Sequence, residues 1–124
     1  MLDARILLVD DDDNVRTSIR GWLQGMGATV AAAPGSSEAL EYVVSAEAPF
    51  DLAVIDVALA GEDSGITLAE RLYGQRAVSR FILISGYVEV SIGNLSIPED
   101  QVAFLGKPLS VTRLESVAKE LIGS

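Results

Sequence analysis

The sequence contains no cysteine and no histidine. Without cysteine the chain forms no disulfide and offers no thiolate to a metal, an absence that suits a reducing compartment such as the cytoplasm. Without histidine it lacks the commonest general base, the usual zinc ligand and any site for phosphohistidine. Catalytic or metal-binding chemistry therefore has to rest on carboxylates, lysine, hydroxyls and the backbone.

Positive charge is also scarce, because nine Lys and Arg stand against 18 Asp and Glu, giving a net charge of −9. The cations are scattered, so no basic patch for nucleic acid is predicted, and an anionic membrane surface is disfavoured. No apolar run is long enough to span a membrane, and the start lacks the features of a signal peptide. We expect one domain over 1–124, with no output domain in this chain.

Five apolar runs alternate with segments of helical spacing. The runs are nearly continuous rather than alternating, which is typical of strands buried on both faces. The predicted strands are 5–9, 28–32, 52–56, 80–85 and 102–105. The predicted helices are 13–26, 36–48, 65–76 and 110–122. This alternation predicts a parallel sheet covered by helices on both faces.

The helix ends carry recognisable signals. Ser110 is expected to cap the last helix, and the second helix is expected to open on serine caps and to turn Val44 inward. The interval 86–101 should hold a further helix but contains Gly93 and Pro98. Because its helix propensity is poor, we expect that fourth helix of the alternation to be short or irregular.

Polar side chains follow the predicted strands at the points where each strand ends. Asp10 and Asp11 follow the first strand, Asp56 ends the third, Ser85 ends the fourth and Lys107 follows the fifth. Each alone has an ordinary structural explanation, such as a helix cap or a turn. In open parallel sheets, however, ligands bind outside the carboxyl ends of the strands, so these side chains are predicted to meet.

Three converging carboxylates repel one another unless a cation compensates them, and oxygen ligands favour a hard divalent ion such as Mg²⁺. A metal, a lysine and a hydroxyl around one carboxylate make a site for a phosphoryl group. The central Asp56 is then predicted to be the nucleophile, giving an aspartyl phosphate.

Over essentially its full length the chain resembles the receiver domain of two-component response regulators, of the chemotaxis-regulator type. The motifs that carry the resemblance are "ILLVDDDDNVR", "FDLAVIDVALAGEDSG", "FILISG" and "FLGKP", in this order. The resemblance implies a flavodoxin-like, doubly wound (βα)₅ sandwich of three layers, with parallel strands in the order 2-1-3-4-5.

The resemblance also implies roles for the residues at the strand ends. Asp56 is implied to be the phosphoacceptor, and Asp10 and Asp11 the acidic pair that holds Mg²⁺ together with Asp56 and the carbonyl of Ala58. Lys107 is implied to pair with the acidic site and then with the phosphoryl group. Asp12 and Asp13 are not assigned to the metal and are expected to begin the first helix.

Further residues are implied to relay or tune the phosphorylated state. Ser85 and Phe104 correspond to the switch hydroxyl and the switch aromatic residue, and Pro108 to a proline often preceded by a cis peptide bond. Tyr87 is expected to screen the phosphoryl group and to slow its hydrolysis.

The loop after the acceptor departs from the family pattern. Ala60 stands where a proline is usual, and Gly65 comes about one residue late. The loop is therefore predicted to be remodelled, which weakens the assignment of a backbone ligand within it.

Such a domain would accept a phosphoryl group from a histidine kinase or phosphotransfer protein, act on a downstream protein target and work in the cytoplasm. It would not be an enzyme with a separate substrate, and a homodimer is an open option. The alternative is a receiver-like interaction module that works without phosphorylation. A dehalogenase-type phosphatase is disfavoured, because Asn14 stands where threonine or valine belongs and Asp56 would have no role.

Overall fold

The computed structural model of the protein describes residues 3–59, 64–86 and 95–123. Five parallel strands form one sheet in the order β2-β1-β3-β4-β5, as the resemblance implies. The strands are β1 (Arg5–Val9), β2 (Thr29–Ala33), β3 (Leu52–Asp56), β4 (Phe81–Ser85) and β5 (Val102–Gly106). The helices are α1 (Asp13–Gly25), α2 (Ser36–Ser45), α3 (Gly65–Gly74) and α4 (Val111–Ile122), with a 3₁₀ helix at Glu99–Gln101.

The sheet separates two hydrophobic layers. Along β1, Ile6 and Leu8 pack into the layer formed with α1 and α4, while Leu7 and Val9 face the layer formed with α2 and α3. Successive strand residues point to opposite faces, so a strand buried on both sides is apolar at nearly every position. The strands β3 and β4 are buried throughout, so the residues at their carboxyl ends are buried as well.

The first and last helices begin and end within one residue of the predicted positions. The Asp12 carboxylate caps α1 by accepting from the amides of Asn14 and Val15, at 2.9 and 3.1 Å. After α1 the backbone reverses through Gly27, whose φ of 99° is a left-handed value that suits glycine. The Ser110 hydroxyl caps α4 by accepting from the amide of Arg113 at 3.3 Å.

The second helix differs from its prediction at both ends. Gly35, with no side-chain hydrogen bond, occupies the capping position, so the serines do not cap the helix. The helix ends at Ser45 rather than at 48, because Ala46 is already extended and a proline follows at 49. Val44 is 86% exposed instead of turned inward.

The expected irregular helix of 86–101 falls largely on residues 87–94, which lie outside the described residues. The described end of this interval holds the 3₁₀ helix Glu99–Gln101, which leads directly into β5. Among the described residues, no helix is long and apolar enough to cross a membrane.

Candidate functional site

The carboxyl edge of the sheet gathers the polar residues predicted to meet there. Asp10 follows β1, Asp56 ends β3, Ser85 ends β4, and Lys107 follows β5. Asp10, Asp56 and Ser85 are the buried polar or charged residues of the described chain, at 1%, 3% and 5% exposure. Buried polar groups are costly unless they are paired, so their concentration at one edge marks a candidate site.

Asp56 is held at both of its carboxylate oxygens. Oδ1 accepts a hydrogen bond from the amide of Ala58 at 2.9 Å, and Oδ2 accepts from Nζ of Lys107 at 2.8 Å. The amide contact follows from the turn that the chain makes directly after β3. These two donors satisfy the carboxylate oxygens and fix the direction of the side chain although it is almost completely buried.

Asp10 is satisfied at only one oxygen. Its Oδ1 accepts from the amide of Asp12 at 2.9 Å, whereas its buried Oδ2 has no hydrogen-bond partner among the described residues. Burial, followed by smaller contributions from the neighbouring carboxylates of Asp56 and Asp11, raises the pKa of Asp10, although the Asp12 amide and Lys107 oppose that rise. A buried, ionisable oxygen without a donor fits a position that a cation would fill.

Asp11 completes the acidic cluster from the exposed side. Asp10, Asp11 and Asp56 each offer a carboxylate oxygen, and these oxygens all lie within 4.8 Å of one another. A set of carboxylate oxygens suits Mg²⁺, which prefers hard oxygen ligands and commonly keeps water in its remaining positions. The residues therefore fit the metal that the sequence predicts.

Lys107 brings a positive charge to the same edge. Its side chain is 39% exposed, so the ammonium group lies between the buried Asp56 carboxylate and solvent. The hydrogen bond to Asp56 raises the pKa of Lys107, against the opposing effect of burial. Its backbone amide donates to the carbonyl of Ser85 at 3.0 Å, which ties the chain after β5 to the end of β4.

The remaining predicted residues lie at different distances from this centre. Ser85 is buried and pairs in register with Gly106, while Phe104 is half-buried against the layer formed with α2 and α3. The peptide bond between Lys107 and Pro108 is cis, as the resemblance implies. Ala58 is present in the turn after Asp56, and Tyr87 lies outside the described residues.

Two residues to which the sequence analysis assigned no role at the site support it. Arg16 donates from Nη1 to the carbonyl oxygen of Asp10 at 2.8 Å. Gly65 donates its amide to the carbonyl of Val57 at 2.9 Å, so that α3 begins against the end of β3. The sequence shows that Arg16 lies close to the acidic pair. Only the fold shows that its side chain turns back toward the Asp10 carbonyl.

An apolar groove of about 370 Å³ opens beside Lys107, between α1 and the segment that joins β5 to α4. Val15, Ile19 and Trp22 line it from α1, and Pro108 and Leu109 line the other side. The acidic site thus borders an apolar surface.

Comparisons with known proteins agree with this geometry. Residues 6–119 match the family model described as the response regulator receiver domain. The chain is 36% identical over 120 residues to sensor kinase CckA of Brucella abortus, covering 96% of this chain but 12% of that protein. The chain therefore spans a small part of the length of this relative.

Solved structures show the same fold. A receiver domain protein of Methanospirillum hungatei superposes with a TM-score of 0.82 at 27% identity, covering 96% of this chain and 93% of the other. The response regulator TrrA of Thermotoga maritima, solved in complex with Mg²⁺ and BeF, superposes with a TM-score of 0.78 at 24% identity. That match covers 95% of this chain and 98% of TrrA.

Proposed function

This chain belongs to the response regulator receiver family, a family of signalling modules rather than conventional enzymes, and we propose that it accepts a phosphoryl group on Asp56. The observation that carries the proposal is that two buried carboxylates lie at one sheet edge. Asp56 is oriented by hydrogen-bond donors at both oxygens, from Ala58 and Lys107. Asp10, a member of the same acidic cluster, has a donor at only one oxygen, and its other, buried oxygen has no hydrogen-bond partner among the described residues. We treat residues 1–124 as one receiver domain.

The reaction is a phosphoryl transfer from a phosphohistidine of a partner protein. An oxygen of Asp56 attacks phosphorus, the phosphorus–nitrogen bond breaks, and the electron pair of that bond returns to the departing imidazole, which takes up a proton. The product is an acyl phosphate on Asp56. Most of the protein's contribution is orientation of the nucleophile and neutralisation of charge, as in other phosphoryl transfers.

Asp10, Asp11 and Asp56 would hold Mg²⁺, with the carbonyl of Ala58 as a backbone ligand. When bound, the ion neutralises charge on the phosphoryl oxygens. This assignment is supported by the separation of the three carboxylate oxygens and by Oδ2 of Asp10, which has no partner in the described part of the chain. TrrA, which shares the fold, was solved with Mg²⁺ and BeF, and this supports the same metal here.

The ammonium group of Lys107 contacts the Asp56 carboxylate before phosphorylation and would contact the phosphoryl oxygens afterwards. Both partners are anionic and lie at the same edge of the sheet. Ser85 would donate its hydroxyl to the phosphoryl group, and Phe104 would change its packing in response. Pro108 belongs to the same switch segment, and Tyr87 would slow hydrolysis of the acyl phosphate by screening it. The backbone hydrogen bond from the Lys107 amide to the Ser85 carbonyl supports a joint movement of this edge.

The expected partners are a histidine kinase or phosphotransfer protein and a downstream protein target, with a homodimer left open. The similarity to part of sensor kinase CckA supports the first partner. The apolar groove beside Lys107 gives such a donor a surface to cover while its phosphohistidine reaches Asp56. No nucleic-acid or membrane partner is proposed, and the site of action is the cytoplasm.

The test is intact-mass measurement after incubation with Mg²⁺ and acetyl phosphate, a small donor that needs no partner protein. We expect one phosphoryl adduct on the parent protein and none on Asp56→Asn, which keeps the shape of the side chain but cannot form the acyl phosphate. Chelation of the metal with EDTA before the donor is added should prevent the adduct.

Failure of the parent protein to form the adduct, together with failure to bind beryllofluoride in the presence of Mg²⁺, would contradict the proposal. The chain would then be a receiver-like interaction module that works without phosphorylation. An adduct that persists in Asp56→Asn would contradict the choice of acceptor instead.

A further inference from the structure

Arg16 lies in the first turn of α1 and turns its side chain back toward β1. Its Nη1 donates to the carbonyl oxygen of Asp10 at 2.8 Å, and its Nη2 forms an ion pair with the Asp13 carboxylate. The side chain is only 18% exposed, which is unusual for an arginine on a surface helix. The guanidinium group therefore links the backbone of the acidic pair to the start of the helix.

The contact falls where the chain leaves the sheet. The amide of Asp10 donates to the carbonyl of Ala33 at 3.1 Å, and its Oδ1 accepts from the amide of Asp12 at 2.9 Å. With Arg16 on its carbonyl oxygen, Asp10 is held at its amide, its carbonyl and its side chain. The Asp10 carbonyl belongs to the peptide unit that joins Asp10 to Asp11, so the contact with Arg16 also fixes the backbone direction at Asp11.

We propose that Arg16 is a positioning residue, whose two-armed guanidinium fixes the turn after β1 so that Asp10 and Asp11 present their carboxylates to one cation. The inference rests on the proposed function for the identity of that cation, Mg²⁺. Arginine suits the task because its planar group donates in two fixed directions, and lysine cannot hold two acceptors in the same way.

The direction in which Mg²⁺ affinity changes when Arg16 is replaced distinguishes a positioning role from a purely electrostatic one. Loss of a cation near three carboxylates should strengthen Mg²⁺ binding if only Coulombic repulsion between the two cations matters. Loss of a group that orients the carboxylates should weaken it. Outer groups that orient metal ligands commonly change affinity by at least about tenfold, which exceeds the screened effect of one exposed charge.

The experiment compares Arg16→Met with Arg20→Met by calorimetric titration with Mg²⁺ at fixed ionic strength. Arg20 is exposed on the same helix, one turn further along, so both variants lose one positive charge and gain the same side chain. We expect Arg16→Met to bind Mg²⁺ about tenfold more weakly than the parent. Arg20→Met should bind as tightly as the parent or slightly more tightly. Arg16→Lys, which keeps the charge, should also bind more weakly.

Hydrogen exchange in the metal-free protein provides a readout that does not involve the metal. We expect the Asp12 amide, which donates to Asp10, to exchange faster in Arg16→Met and in Arg16→Lys, but not in Arg20→Met. Circular dichroism on each variant identifies global unfolding, and the conservative Arg16→Lys serves if the methionine variant does not fold.

The outcomes of the two measurements differ in what they overturn. If the parent protein does not bind Mg²⁺, the proposed function fails, and exchange at Asp12 still decides whether Arg16 fixes the turn. If the parent binds Mg²⁺ and Arg16→Met binds it as tightly as Arg20→Met does, Arg16 is not a positioning residue. Unchanged exchange at Asp12 in both Arg16 variants would overturn the inference in the same way.

Discussion

Within the described ranges, two ion pairs join a lysine to a carboxylate over the same distance of 2.8 Å, but in different regions. Lys119 and Glu115 lie one turn apart on α4, with side chains 50% and 42% exposed. Lys107 and Asp56 are brought together by two strands of the sheet, and the Asp56 side chain is only 3% exposed. Distance alone therefore does not distinguish the surface of α4 from the candidate site.

The difference between the regions lies in what each carboxylate would do without its lysine. Glu115 can be hydrated, so its pair contributes little to stability. Asp56 cannot return to water, so loss of its partner leaves a buried charge with one hydrogen-bond donor fewer. The site is thus a region where each group depends on its neighbours, and the following substitutions test that contrast.

The largest effect is expected from Gly65→Ala. A Cβ atom at Gly65 would lie 2.1 Å from the carbonyl oxygen of Asp56 and 2.8 Å from its carbonyl carbon, and backbone atoms cannot move aside as a flexible side chain can. We expect the free energy of unfolding in urea to fall by about 3 kcal/mol.

Gly74→Ala is the matched control for that substitution. Gly74 ends the same helix, and a Cβ atom there would meet nothing within 4 Å. Alanine at this position should leave stability unchanged or raise it by about 0.5 kcal/mol. Equal losses from both substitutions would show that α3 does not press against the acceptor strand.

Lys107→Met should have the second largest effect. The substitution removes the hydrogen bond to the buried Asp56 carboxylate while retaining an apolar stem of similar length. Because the ammonium group is partly exposed, we expect a loss of about 2 kcal/mol in metal-free urea unfolding, less than for a fully buried pair. Lys119→Met, the same change on α4, should alter stability far less. Similar losses from both would abolish the contrast between the two regions.

Asp10→Asn should stabilise the metal-free protein. Burial raises the pKa of Asp10, so the folded state binds a proton more readily than the unfolded chain does, and stability falls as pH rises through the raised pKa. Asparagine still accepts from Asp12 but carries no charge, so we expect a gain of about 1 kcal/mol at pH 7. Thermal unfolding without and with Mg²⁺ checks this, because the stability that Mg²⁺ is expected to add to the parent should be lost in the variant. A less stable metal-free variant would contradict the expectation.

Glu115→Gln should have the smallest effect. The hydrogen bond from Lys119 lowers the pKa of Glu115, so its contribution is present above its ordinary pKa and is lost as pH falls through the lowered value. Thermal unfolding at neutral pH should show a barely measurable decrease for the variant, and this decrease should vanish in acid and in high salt. A loss as large as that of Lys107→Met would mean that α4 also depends on its ion pair.

Much of the fold could be predicted because two-sided burial leaves a strong pattern in the sequence. Each predicted strand agrees with the observed one to within a residue at either end, since a covered strand is a nearly continuous apolar run. The candidate site followed from the same pattern, because Asp10, Asp56 and Lys107 come directly after such runs. The order of the strands depended on the family resemblance, since alternation of strands and helices does not specify it.

The features that were missed depend on contacts between distant parts of the chain or on single rotations about a helix. Val44 is apolar and close to the buried stripe of α2, yet a small rotation places it in solvent. Arg16 is an ordinary helix residue by composition, and only the turn after β1 brings a carbonyl oxygen within its reach. Gly65 is required by the approach of two backbones that are separate in sequence.

The position of β1 between β2 and β3 has a consequence for the order in which the protein folds. β1 and β2 both lie within the first 33 residues, whereas β3 reaches the other edge of β1 only after α2 has been crossed. Pairings between strands far apart in sequence form slowly. We therefore expect Asp56 to come to lie beside Asp10 and Asp11 late, so that apolar burial is well advanced before the chain has to bring these like charges together.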